Sequence, residues 1–152
     1  GNCIAPNEFN RKLAYEDLST GGSLIVIGEE RDLLKDIVLN FTEFFIEESC
    51  GSCVPCRAMT VQYKNKLEKI LRGNGVAEDV DQMLSWENVM ISNRCGLGQT
   101  AANPILSTIK NFRELYEDKL NKDTDFVSEF NLEAAVQESC KTANRVPNLG
   151  GE

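Results

Sequence analysis

The chain has 152 residues, 41% of them hydrophobic and 26% charged, the balance of a folded chain of ordinary domain size rather than a disordered one. With 16 Lys and Arg against 24 Asp and Glu, its formal net charge is -8, which argues against a nucleic-acid or anionic-membrane partner. Histidine is absent, which removes His-based acid–base catalysis, His-paired nucleophiles, the HExxH zinc motif and Rieske-type ligation. No apolar run approaches the roughly 20 residues that cross a bilayer.

Gly1-Asn2-Cys3 opens the chain without an initiator methionine or the basic start and apolar stretch of a signal peptide, so the sequence reads as a piece of something longer. Residues 1–28 are expected to be the tail of a preceding β-containing module. Within them SLIVI (23–27), set between glycines, predicts a strand whose partners lie elsewhere. Over 31–48, Leu33, Leu34, Ile37, Val38, Phe41, Phe44 and Phe45 recur at helical spacing, and Gly51 supplies a left-handed stop. A second helix is expected from about Pro55 or Cys56 to the Gly73-Asn74-Gly75 stop, a third over 77–84 and a short one around 86–91. A long helix is expected over about 100–120, with Ile105, Leu106, Ile109, Phe112, Leu115 and Tyr116 as its core stripe and Pro104 in its first turn. A short helix over 132–138 and a loose tail complete the reading. The fold class expected is mainly α: a helical bundle over 29–120, a small β appendage on its N-terminal side and a partly loose extension over 121–152.

Cys50, Cys53 and Cys56 form a Cys-x2-Cys-x2-Cys run (ESCGSCVPCR), and Cys95 stands apart in RCGLG. Three thiols at successive x2 spacings wrap three corners of a cubane and a distant fourth closes the last iron, which suits one [4Fe-4S] cluster. The competing readings are a structural zinc site, which normally uses two Cys-x2-Cys knuckles, a C-x-x-C redox pair, and plain buried cysteines. Arg57 and Arg94, each beside a cysteine of the set, either offset cluster charge or are solvated surface charges. Gly51, Gly96 and Gly98 either open backbone N–H groups to sulfur or serve turn geometry. Val54, Pro55 and Leu97 either exclude water or pack as ordinary loop residues. Cys3 and Cys140 join no spaced group and read as bystanders. Glu29-Glu30, Glu47-Glu48 and Glu78-Asp79 read as solvated surface. Neither GxGxxG nor GxxxxGK[ST] occurs, so this piece is not expected to hold a nucleotide by itself.

ESCGSCVPCR, then RCGLG and QTAANPIL, resemble the C-terminal iron-sulfur domain of the 51-kDa-type flavoprotein subunit of NADH dehydrogenase. GNCIAP and GGSLIVI resemble the segments before that motif. CVPCR, Ser85-Trp86, RCGLG, Pro104 to Leu106 and FNLE look nearest to the diaphorase subunit of NAD-reducing hydrogenases. The resemblance implies that Cys50, Cys53, Cys56 and Cys95 ligate a [4Fe-4S] cluster fed by FMN, with the FMN and NAD(H) sites on an upstream domain that this chain lacks. It implies no catalytic residue here, partners in the upstream domain, a small [2Fe-2S] subunit and other redox subunits, and a cytoplasmic setting. The fragment alone is not expected to oxidise NADH. Val54 and Ala58-Met59 depart from the respiratory pattern, which leaves the four ligands intact but the electron acceptor open.

Overall fold

Apolar residues at helical spacing cannot bury themselves singly, and this chain solves the problem by stacking short helices on one long one. In the computed structural model, residues 1–18, 22–123, 140, 141 and 144 are described, and the chain divides into units Gly1–Lys122 and Asp123–Glu152. The helices of the first unit are α1 (Tyr15–Leu18), α2 (Leu39–Glu47), α3 (Val54–Leu71), α4 (Ala77–Ser85), α5 (Glu87–Ile91), α6 (Gly96–Thr100), α7 (Asn103–Asn111) and α8 (Arg113–Glu117). Leu33–Val38 is wound as a π-helix that runs into α2, with the Leu39 N–H reaching back to the Leu34 carbonyl. Asp32 starts that winding, its Oδ1 accepting from the N–H groups of Leu34 (3.0 Å) and Lys35 (3.1 Å). Burial opposes ionisation of Asp32, but Lys119 and those backbone N–H groups outweigh it and hold the carboxyl below its usual range.

The axis of the unit is α3, begun by Cys53 with Pro55 in its first turn. Its Tyr63, Leu67 and Ile70 meet Leu34, Val38, Val80, Met83, Met90, Ile105, Ile109 and Tyr116 in one apolar core. Each large side chain so buried contributes about 1.5–3 kcal/mol. The Tyr63 hydroxyl donates to the Met83 carbonyl (2.9 Å), and its ring stands edge-on to Trp86 at 5.2 Å. The helical bundle is therefore as expected. Among the described residues no helix is long and apolar enough to cross a membrane.

Three expectations need correction. Residues 23–27 form no strand among the described residues. They take no regular secondary structure, with Leu24, Ile25 and Val26 exposed, because a strand exists only where a second one takes its backbone hydrogen bonds. The helix expected over 100–120 is broken: Phe112 leaves helical geometry (φ -145, ψ 50), and α8 turns back so that the Tyr116 hydroxyl meets Thr108 Oγ1 at 2.6 Å in the core. A stripe that continues across a kink has the same spacing as one helix, so periodicity alone misses the break. Asp79, read as solvated surface, is only 2% exposed. It pairs with Lys66 and Lys69 and accepts the Val76 N–H at the start of α4 (3.0 Å). Its neighbour Glu78 is exposed as expected.

In the second unit, Cys140 and Lys141 lie in a helical turn, and the Asn144 N–H donates to the Lys141 carbonyl. The short helix expected over 132–138 lies outside the described residues.

Candidate metal centre

The end of α2 and the start of α3 are joined by a turn only a few residues long that carries Cys50 and Cys53, and Cys56 follows within the first turn of α3. Gly51 takes φ +72, a left-handed backbone that any side chain would strain. The Gly51 N–H donates to Ser49 Oγ (3.2 Å), and Arg57 Nη1 donates to the Gly51 carbonyl (2.6 Å), so the turn is closed from both sides. Cys53 is extended (φ -83, ψ 126) as the residue that opens α3, and Cys56 follows in the first helical turn. The three thiols sit at graded depth: Cys50 exposed, Cys53 half-buried, Cys56 buried. Ser49 Oγ lies 3.3 Å from Cys56 Sγ. Whenever that sulfur is a thiolate, the serine hydroxyl must be the donor.

Cys95, exposed, opens α6 in the same extended way (φ -124, ψ 159), and the Gln99 N–H donates to its carbonyl (3.1 Å). Two residues before it, Asn93 is buried at 3% exposure. Asn93 Oδ1 accepts the Cys56 N–H at 2.9 Å, and its Nδ2 donates to the carbonyls of Met90 (2.8 Å) and Gly98 (3.2 Å). Gln99 Nε2 donates to the Asn93 carbonyl (2.8 Å). The loop bearing the lone cysteine is thus bonded directly to the first turn of α3. Gly98 lies so close that a Cβ there would stand 2.8 Å from Asn93 Cβ and 2.9 Å from its Cγ, closer than carbon atoms approach. Sequence reasoning passed over Asn93, because an asparagine before a turn is ordinary and its role depends on a partner 37 positions away.

Of the other residues named from sequence, Arg57 works within the triplet turn, while Arg94 is exposed beside Cys95. Val54 is 61% exposed and shields nothing by itself; Pro55 and Leu97 are half-buried. Cys3 lies along α7, its N–H donating to Ser107 Oγ (2.9 Å) and its carbonyl accepting from Asn111 Nδ2 (2.9 Å). Burial pushes the Cys3 thiol up, which disfavours the thiolate that a metal needs.

The donor set fits an iron-sulfur group. Cys53 and Cys56 sit at the N-terminus of an 18-residue helix, the end that carries the positive pole of the helix dipole. Among the described residues no three Cys, Asp or Glu side chains close on one ion position.

Comparison with known proteins gives the same chemistry. Residues 36–119 match the family model described as the NADH-ubiquinone oxidoreductase-F iron-sulfur binding region. The NAD-reducing hydrogenase HoxS subunit alpha of Cupriavidus necator is 42% identical over 139 residues, covering 90% of this chain and 23% of that protein. An NADH-quinone oxidoreductase subunit of Mycobacterium tuberculosis is 36% identical over 110 residues, covering 68% of this chain and 25% of that protein. The crystal structure of an NAD+-reducing [NiFe]-hydrogenase in the H2-reduced state superposes with a TM-score of 0.74 at 31% identity, over 97% of this chain and 26% of that one. The chain spans about a quarter of the length of these relatives.

Proposed function

The chain belongs to the family of NADH-ubiquinone oxidoreductase-F iron-sulfur binding regions, and on that premise we propose that it is an electron-transfer domain in which Cys50, Cys53, Cys56 and Cys95 ligate one [4Fe-4S] cluster. The observation that carries the reading is the hydrogen bond from the Cys56 N–H to Asn93, which ties the turn of three thiols to the loop of the fourth. When bound, such a cluster supplies reversible one-electron storage. The chain supplies the soft donors, the helix terminus of α3 and the Ser49 hydroxyl beside one sulfur. No acid–base residue is required.

In the longer protein, the domain relays electrons between FMN and NADH on an upstream domain and a downstream iron-sulfur acceptor. Its home is an NADH dehydrogenase or NAD-reducing hydrogenase complex in the cytoplasm, beside a small [2Fe-2S] subunit. The names of the relatives, an NAD-reducing hydrogenase subunit and an NADH-quinone oxidoreductase subunit, support the choice of complex. Residues 29–120 form the cluster-bearing domain, residues 1–28 end a preceding module and residues 121–152 are an extension.

Anaerobic reconstitution with ferrous iron and sulfide tests the reading. A brown protein with about four iron and about four sulfide per chain is expected, its visible absorbance bleaching on reduction by dithionite. A colourless protein that instead retains one zinc contradicts it. Ser49→Ala is expected to keep the cluster but lower its reduction potential by on the order of tens of millivolts, since a hydrogen bond to sulfur favours the more negative reduced state. A redox titration that returns the wild-type potential would remove Ser49 from the account.

A further inference from the structure

We infer that Asn93 is the positioning residue of this centre. By binding the Cys56 backbone and the Gly98 carbonyl with the two ends of one buried amide, it holds the Cys95 loop where its thiol can share a group with the other three. The inference rests on the cluster reading above but concerns a residue that ligates nothing. An amide suits this place because it offers an acceptor on one side and two donors on the other. The acceptor takes the N–H of Cys56, while the donors take the Met90 carbonyl, at the end of α5, and the Gly98 carbonyl, inside α6.

Other side chains cannot replace it. Aspartate keeps the acceptor and turns an anionic oxygen toward two carbonyl oxygens. Leucine has the bulk and none of the bonds. Alanine leaves the Cys56 N–H and the Gly98 carbonyl inside the protein without this amide, while the Met90 carbonyl keeps the backbone N–H of residue 93, and a buried group so orphaned is worse than one never made. The packing agrees with the bonding. Gly98 has no room for a Cβ because Asn93 fills that space, so asparagine and glycine form one joint rather than two separate turn residues. Gln99 adds a further bond to the Asn93 carbonyl, so the side chain of one residue and the main chain of the other fix the same loop.

The consequence is directional. Cys50, Cys53 and Cys56 are held by the end of α2, by Arg57 and by the start of α3, and of the three only Cys56 bonds to Asn93. Cys95 is exposed on a loop whose tie to α3 runs through that amide. Weakening the joint should therefore free one ligand of four and leave the apo fold largely standing.

The test uses the full 152-residue chain, reconstituted anaerobically, in wild-type, Asn93→Ala, Gly98→Ala and Thr108→Ala forms. Thr108 is buried with hydrogen bonds on α7 and to Tyr116, so its variant weakens the core without touching the joint. Two quantities are read: the melting temperature of each apo chain, and the rate of iron release to bathophenanthroline under argon. Asn93→Ala and Gly98→Ala are expected to release iron at least about tenfold faster than wild type, and faster than Thr108→Ala at an equal or smaller loss of melting temperature. Release that follows apo stability alone, equally for Thr108→Ala, overturns the positioning role. Wild-type release rates in Asn93→Ala also overturn it, and leave the cluster reading intact. A wild-type chain that takes up no cluster overturns both.

Discussion

Cys95→Ala should abolish stable cluster retention while leaving the fold intact. Cys95 is exposed at the start of a short helix, so its thiol contributes little to packing, and removing it should change apo stability by no more than about 0.5 kcal/mol. A cluster held by three cysteines has one iron open to solvent and chelators. Altering even residues that only support a ligand costs about 10–100-fold in affinity, so loss of the ligand itself should cost at least as much. After anaerobic reconstitution and gel filtration, the variant should retain under about a tenth of the wild-type iron. Cys56→Ala is a less clean probe, because that residue is buried and its removal also disturbs the core. Cys3→Ser serves as the negative control, since Cys3 lies along α7 and its neighbours are Ser107 and Asn111. Full iron retention by Cys95→Ala would remove the fourth ligand from the account.

The second large effect concerns stability. Asp79→Ala removes the carboxylate that receives Lys66, Lys69 and the Val76 N–H, in a site that water barely reaches. Two ammonium groups and a helix-start N–H lose this carboxylate together. The lysines keep some access to solvent, with side chains 22% and 27% exposed, so the cost should fall near the lower end for a broken buried pair, about 2–4 kcal/mol. At this chain length that is a drop in melting temperature of about 5–12 °C, readable by circular dichroism on the apo chain. Glu78→Ala, one position earlier and exposed, should change almost nothing. Burial pushes the Asp79 carboxyl up, but the bonds from Lys66, Lys69 and Val76 outweigh it and hold the group below the ordinary carboxylate range. A lowered pKa stabilises the folded state at pH values above the unfolded pKa and stops doing so as pH falls through the folded one. The gap between wild type and Asp79→Ala should therefore be full at neutral pH and shrink below about pH 4. A gap that is constant with pH would mean that the carboxylate acts through packing alone.

What the sequence revealed follows from what is local. The start of α3 is marked by a proline and its end by glycines, and both signals sit within a residue or two of the observed ends. Gly51 needs a left-handed backbone because a helix must stop before the cysteine turn, and it has one. The three-plus-one cysteine spacing likewise points to an iron-sulfur group, since ligand order along the chain is itself the signal. The features that stayed hidden depend on distant partners. The run at 23–27 has every local mark of a strand, but pairing is a property of two segments, and among the described residues none pairs with it. Asp79 follows an exposed glutamate, and nothing nearby in sequence shows that lysines 13 and 10 positions before it close over its carboxylate. Phe112 continues an apolar stripe through a bend that only the Thr108–Tyr116 contact explains. Asn93 is the clearest case, since its amide matters only once α3 and α6 lie side by side.

The central claim is that thiols from two separate loops hold one four-iron cubane, and iron-edge X-ray absorption on the anaerobically reconstituted chain tests it most directly. Sulfur neighbours around each iron together with a strong iron–iron scattering shell, both weakened in Cys95→Ala, are the predicted result. Isolated metal ions with sulfur neighbours and no metal–metal shell, unchanged by that substitution, would contradict it.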